Sequence, residues 1–392
     1  MPTTLTNRTV RQSDWSAHIV AQTLQDEIPT SPEFQEVHLL TSGTAVSTPT
    51  YEQSSAITST GQPRDNIKTG SDLAFELGAE LSDQHKVLMA AALESAVTDN
   101  SVTASTIASD ANGFIGSVGT EFDNISVGDF IFMSGFTDAA LNRAYLVTVK
   151  STGGDIEVNP APASVEAEGA SVTLASHKAA LGQAPTLYAV QNRVIDESQA
   201  GDIAYETFYN GFTNTYALSV PESGIITATL AMVFEKKNPT LAPIAGQTDA
   251  TPLTSSPSTT PLISVWLDGE LSEECFLKTI DLNIEHGYTG NAVAQCEQKR
   301  QAKGIPTIGG SFATVMYSAD TFLWKNKADT GTPVDLAYMI DFKDGKYMII
   351  HIPRLKPTSW SPDGDTALAN SMDYSAEADR ATNIALYAYT NF

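Results

Sequence analysis

Residues 214–234, NTYALSVPESGIITATLAMVF, alternate polar and apolar positions with a period of two. Tyr216, Leu218 and Val220 alternate with Thr215, Ala217 and Ser219. After PESG, Ile226, Ala228, Leu230, Met232 and Phe234 alternate with Ile225, Thr227, Thr229 and Ala231. Successive strand side chains point to opposite faces, so the pattern predicts a hairpin with one strongly apolar face. Residues 334–352, VDLAYMIDFKDGKYMIIHI, predict a second hairpin with Asp344-Gly345 as a two-residue turn. That loop sets Phe342 opposite Tyr347 and Ile340 opposite Ile349, with Asp341 and Met348 on the other side. Most of the remaining chain reads as short Val-, Ile-, Tyr-, Phe- and Thr-rich segments cut by turn residues. Helical patterns are few. Ser82 is placed to cap a helix carrying Val87, Leu88, Ala91 and Ala92 on one stripe. Ser318 caps a shorter one, with Tyr317 and Phe322 as a hydrophobic staple, and a third helix is expected near residues 12–26.

Two stretches share a plan: TGSDLAFELGAELSDQHKVLMAA (69–91) and GGSFATVMYSADTFLWKNKAD (309–329). Each opens on Gly-Ser, runs extended and apolar, reaches a serine followed by an acid, and continues amphipathically. Gly70 matches Gly310 at an offset of 240, and Phe34 and Leu40 match Phe276 and Leu282 at 242. Gly224, Met232 and Phe234 match Gly364, Met372 and Tyr374 at 140. Constant offsets within a block imply a duplicated module, because strand register leaves little slack. The drop in offset assigns about a hundred extra residues to the first copy. Residues 101–177 supply most of them: they are rich in Gly, Ala, Ser and Val, with strand signals at GDFIFMSGF, RAYLVTVK and ASVTLAS. They read as a small β domain inserted at a loop, where added length costs little entropy. Its ends, near Asn100 and Lys178, are expected together on the outside, with the insertion dispensable for assembly. Residues 238–261, rich in Pro, Thr and Ser, read as an extended linker.

Composition narrows the function. The 392 residues carry a net charge of −24, and such a surface repels phosphate, which argues against a stable nucleic-acid binder. No apolar run is long enough to span a membrane, and the N-terminal residues lack the apolar core of a secretory signal. Cys275 and Cys296 form no CxxC pattern, so buried apolar filler in a reducing compartment is expected. No GxSxG, HExxH, Walker A or GxGxxG motif occurs, so no catalytic or cofactor-binding residue is assigned. His18, His38, His85, His177, His286 and His351 lack ligand spacing, and no metal site is expected. His351 reads as a sheet side chain. Asp363 and Asp365 read as part of a tight turn, and the adjacent Glu273 and Glu274 point apart on a strand.

Several segments, in order, resemble the tail tube (major tail) proteins of long non-contractile-tailed bacteriophages. YEQSSAITSTGQPRDNIKTGSDLAFELGAELSDQHKVLMAAALES is similar to that family's strand, long loop, strand and helix, and FYNGFTNTYALSVPESGIITATLAMVFEKK to its following hairpin. SVGDFIFMSGFTDAALNRAYLVTV resembles an insertion found in many members, and IHIPRLKPTSWSPDGDTALANSMDYSAEAD the closing hairpin. The resemblance covers roughly residues 34–390. It implies a mainly β fold of two tandem tube-type β-sandwich or half-barrel modules, each with a short α-helix, plus the small inserted β domain. The first module is 1–100 with 178–237, the insertion 101–177, the linker 238–261 and the second module 262–392. It further implies a structural virion protein, not an enzyme, that stacks as rings into a hollow tail tube assembled in the host cytoplasm. The implied partners are other copies of the chain, the tape-measure protein, and the tail terminator and distal tail proteins. Double-stranded DNA passes through during ejection without specific binding, and no membrane or cofactor is implied. Two modules per chain correspond to three chains around six sectors, with six chains as the alternative. Thr215, Ser219, Thr227, Thr229 and Asp341 are candidates for the lumen lining, ordinary solvent being the other reading of those positions. A surface adhesin or receptor-binding β protein remains the alternative function.

Overall fold

The computed structural model describes residues 15–37, 44–53, 66–82, 85–151, 154–168, 171–182, 185–196, 202–251, 264–272, 277–291, 300–315, 320–342, 345–363 and 369–392. Cys275, Cys296, Glu273, Glu274, Tyr317, Ser318, His38, Leu40 and Asp365 lie outside these residues. The chain is mainly β. In the first half, β1 (Trp15–Gln22), β2 (Glu33–Val37), β3 (Thr44–Gln53) and β4 (Asn66–Glu80) precede α1 (His85–Ala92). After the inserted residues come β5 (His177–Ala180), β6 (Leu187–Asp196), β7 (Asp202–Val220) and β8 (Thr227–Thr240). The second half contains β9 (Ser264–Leu267), β10 (Leu277–Glu285), β11 (Thr307–Val315) and α2 (Asp320–Thr330). It ends with β12 (Val334–Asp341), β13 (Tyr347–Pro357), β14 (Ala369–Ala376) and β15 (Tyr387–Thr390).

Each half lays its strands antiparallel in one order. The first runs β1-β6-β7-β8-β4-β3. The second runs β9-β12-β13-β14-β11-β10. The halves meet edge to edge where β7 pairs with β10, from Thr215 opposite Glu285 to Val220 opposite Ile280. The apolar faces on both sides of this seam share a core. Phe75, Leu77, Tyr216, Leu218, Leu230 and Met232 meet Leu282, Ile284, Phe312, Tyr338 and Ile350. Each large side chain buried there contributes about 1.5–3 kcal/mol. The 214–234 hairpin forms with the expected face inward, and every residue of that face from Tyr216 to Phe234 is buried. Helix α1 buries Leu88, Met89, Ala91 and Ala92. It begins where the Ser82 carbonyl accepts from the His85 N–H at 3.0 Å, while the Ser82 N–H donates to His85 Nδ1 at 3.2 Å.

Four expectations change. Residues 15–22 are a strand, not part of a helix: Ala17 and Ile19 point inward, and β1 fills the gap between β6 and β2. Such long-range pairing outweighs local propensity. The β12–β13 hairpin pairs Ile340 with Met348 and Asp341 with Tyr347. The Phe342 N–H reaches the Lys346 carbonyl at 2.9 Å, so three residues form the loop, and Gly345 takes the positive φ of +73° that this turn requires. Phe75 lies opposite Met232 and Phe312 opposite Met372, so with the two methionines aligned the earlier blocks stand 237 residues apart, not 240. Gly310 is explained by its own contact, since a Cβ there would lie 2.0 Å from the Asp281 carbonyl oxygen. Finally, the stretch from residue 238 is not linker throughout. β8 continues to Thr240, and Thr248–Asp249 pairs in parallel with β2.

Residues 102–175 form a separate seven-stranded sheet with its own core, including Phe114, Phe122, Ile131, Met133, Tyr145 and Leu174. Its ends lie side by side, Asp99 opposite His177 and Thr98 opposite Lys178.

Candidate functional site

The alternation that buries one face of the seam sheet leaves the other face polar. β7 presents Thr215, Ala217 and Ser219 there, and β8 presents Thr227 and Thr229. Across the seam, Ser219 stands opposite Asp281, and Ala217 opposite Asn283. Ser311 lies opposite Asp373 on the next pair of strands. All of these but Thr215 line an open groove of about 490 Å³. The Ser219 hydroxyl donates to Asp281 Oδ1 at 2.6 Å and the Ser311 hydroxyl to Asp281 Oδ2 at 3.1 Å. One carboxylate thereby ties β7, β10 and β11 together on the polar side. Thr215 closes the row, facing Glu285 across the seam and Ala231 within the first half.

Four of the five sequence candidates, Thr215, Ser219, Thr227 and Thr229, therefore share this face. Asp341 does not join them. It shares the side of β12 that carries Met339, which packs against the inserted domain, and lies opposite Tyr347. Asp281, Asn283, Ser311 and Asp373 were not singled out from the sequence, because their place depends on the β7–β10 pairing, which local alternation does not reveal.

The electrostatics of the face are one-sided. Glu76, Glu80, Asp281, Glu285 and Asp373 occupy its strands. The described stretches 76–80, 215–219, 227–231, 281–285, 309–311 and 371–373 contain no Lys, Arg, His or Cys. Small hydroxyl and amide side chains fill the spaces between the acids. The face therefore carries negative potential. Among the described residues, no group of three His, Cys, Asp or Glu is placed to hold a metal ion.

Two ionic clusters flank the seam and were not legible in the sequence. Glu94, buried just past α1, accepts hydrogen bonds from the Tyr288 hydroxyl and Lys303 Nζ, with His286 Nδ1 at 3.6 Å. His286 Nε2 lies 2.8 Å from the Ala92 carbonyl, the last residue of α1. Burial first, and the Glu94 carboxylate second, push the Tyr288 hydroxyl above its ordinary pKa. In the other cluster Arg300 joins Asp26 at 2.9 Å to Glu235 at 2.6 Å, and the Gln301 N–H donates to Glu235 Oε1 at 2.9 Å. Arg300 and Lys236 hold the Asp26 carboxyl well below the usual range. The two clusters anchor His286, Tyr288, Arg300, Gln301 and Lys303 of the second half on the first.

A family model described as phage tail tube protein matches residues 12–376. No curated protein matches the chain.

Proposed function

Because the chain belongs to the phage tail tube protein family, we propose that it supplies two of the six sectors of each ring of a hollow tail tube, three chains completing the ring. Membership makes it a structural protein of the virion tail that assembles with copies of itself. The observation that carries the two-sector reading is the β7–β10 seam, where two halves of equal strand order already sit edge to edge within one chain. The sequence modules, 1–100 with 178–237 and 262–392, are the two sectors on this reading, and 101–177 projects outward at three positions around the ring.

The two remaining edges fit the same joint. Among the described residues β3 pairs with β4 alone, and its residues from Val46 to Glu52 are exposed. In the second half, Ser361–Asp363 prolongs β13 and pairs with β14 alone. Joining that edge to β3 of the next chain repeats the internal seam and removes both open edges, the usual hazard of β proteins. The acidic face then lines the lumen, with Thr215, Ser219, Thr227 and Thr229 in it. A negative lining repels the phosphates of double-stranded DNA and keeps the DNA mobile during ejection. Before ejection the lumen holds the tape-measure protein, the terminator and distal tail proteins close the two ends, and assembly takes place in the host cytoplasm. A cryo-EM cross-section of purified tubes tests the reading. Three chains with six inner sectors are expected. Six chains with one inner sector each would sink it.

A further inference from the structure

We propose that the inserted domain is a brace that fixes the angle between the two sectors of one chain, and so sets the curvature at which rings close. This rests on the two-sector reading above. The domain hangs from the first half through the paired ends at Thr98–Asp99 and His177–Lys178. One face of its sheet forms its own core through Ile131, Met133, Tyr145 and Val147. Their strand neighbours Phe130, Phe132, Ala144 and Leu146 point the other way and are also apolar. An outward ornament would carry polar residues there. Instead these four are buried on the second half, against Trp266, Ala337, Met339, Ile349, Tyr387 and Tyr389.

The contact is specific as well as apolar. The Phe130 ring meets Trp266 edge-on at 5.1 Å and Tyr389 at 5.5 Å, and Phe132 stacks on Tyr347 at 6.1 Å. Asp129, 3 % exposed, accepts from Lys178 at 2.5 Å and from the Tyr389 hydroxyl at 3.2 Å. Asn159 joins the rim by donating to Glu270 and accepting from the Leu271 N–H at 3.2 Å. β5, which leaves the domain, pairs directly with β15 of the second half. Neighbouring strands tolerate a broad range of twist, so a seam of two paired strands does not by itself hold one angle. A closed ring needs one angle repeated without error. The shared core and the two ionic clusters join the halves beside the seam, and the brace adds an attachment away from it, on the outer sheet of the second half.

The test is Phe132→Glu with Leu146→Glu, which touches the docking face and spares the domain's own core. Burying those carboxylates is expected to lower the docked population by about a hundredfold or more. The unassembled full chain should then expand in small-angle scattering, with residues 98–101 opened to protease. Closed tubes should give way to open arcs and rings of mixed diameter. Trp266→Ser attacks the same contact from the other half and should act in the same direction. Val149→Glu, on an exposed position of the same insert strand, should leave tubes unchanged. Tubes of wild-type diameter and yield from the double variant overturn the brace, as does a domain that stays docked. Failure of the wild-type chain to show two inner sectors strikes the two-sector reading instead and is visible without any variant.

Discussion

The two halves of the chain share a strand order and differ in what covers their outer sheets. In the first half the outer side of β6 is polar, with Gln191 and Arg193, and the segment after β8 folds back over it as a strap that buries both. Arg193 grips Asp249 with both terminal nitrogens, at 2.9 and 2.6 Å, and the Gln191 and Gln247 amides bond each other at 3.1 and 3.0 Å. In the second half the corresponding strand β12 presents Ala337 and Met339, and the cover is the apolar face of the inserted domain. A polar strap drawn from the same half leaves that half self-sufficient. An apolar cover drawn from the other half makes the two inseparable. The two halves thus share a strand order, and on the brace proposal their different covers make them one rigid unit.

The sharpest break in the comparison lies within the core. With Met232 and Met372 aligned, Leu230 of β8 corresponds to Asn370 of β14. Leu230 is 1 % exposed, so Leu230→Asp buries an unpaired charge and should cost about 3–5 kcal/mol, enough to abolish soluble chain. Thr229→Asp, one residue away on the polar face, should change stability by less than about 0.5 kcal/mol. Soluble yield and Tm of the pair measure this. Equal damage from both would mean that the sheet is covered on both faces.

Acid should separate the halves next. Burial lowers the pKa of His18, on β1, to about 4, with Arg193 adding to the effect and Asp249 opposing it. Burial lowers His85, at the start of α1, to about 3. A histidine depressed in the folded state stabilises fully above its unfolded value near 6.5, and that stability is lost as pH falls through the folded pKa. For His18 the loss is on the order of 3 kcal/mol between pH 6.5 and 4. Asp249, held low first by its Arg193 hydrogen bond, adds a further loss at the acid end of that range. Hydrogen exchange on the unassembled chain should open β1 and α1 before β12 and β13 as pH falls from 6.5 to 4. His18→Gln should flatten the Tm profile there. An unchanged profile would remove His18 as a cause.

What the sequence disclosed and what it concealed divide along the same line of range. The 214–234 hairpin and the four polar-face residues were legible because period-two alternation is local. The strand signal in GDFIFMSGF was legible, but the burial of Phe130–Met133 on both faces was not, since nothing local named Trp266 or Tyr389 as the partner. β1 was misread because eight residues of mixed character become a strand only between two neighbours. The Asp344-Gly345 signal found the β12–β13 turn and missed its length by one residue, which shifted every pair in the hairpin. Asp341 lies apart from the other four candidates because a strand's polar side can face another domain as well as open space. The ionic clusters around Glu94 and Arg300 required the fold itself.

A smaller change should improve the second half. Asn370 is fully buried, and neither side-chain polar atom has a hydrogen-bond partner among the described residues. Its cross-strand neighbour Thr314 is in the same state at Oγ1. Asn370→Leu, which copies the first half, should stabilise by about 1–3 kcal/mol by removing a desolvated amide. A rise of several degrees in Tm is expected. A fall would show that the amide is bonded in solution and that the second half depends on it.

The least perturbing change probes the seam between chains. Ala217 of β7 lies opposite Thr229, and Asp363 opposite Ala369, so Ala217 and Asp363 hold equivalent places beside the aligned strands β8 and β14. Ala45 is opposite Phe75 and Ile280 opposite Phe312, which makes Thr48 the counterpart of Asn283. Since Ala217 faces Asn283 across the internal seam, Asp363 of one chain should face Thr48 of the next. Directly opposed residues on paired strands bring their Cβ atoms to about 4.5–5.5 Å, at the edge of disulfide reach. Thr48→Cys with Asp363→Cys, in a chain whose Cys275 and Cys296 are serine, alters two edge-strand positions and should change stability by no more than about 0.5 kcal/mol. Oxidised tubes should give covalent dimers and then closed trimers, with no larger product, while unassembled chain gives neither. Pro362→Cys with Thr48→Cys directs the two sulfurs to opposite faces and should stay monomeric. Equal linking by both pairs would break the register, and a ladder reaching six would return the ring to six chains.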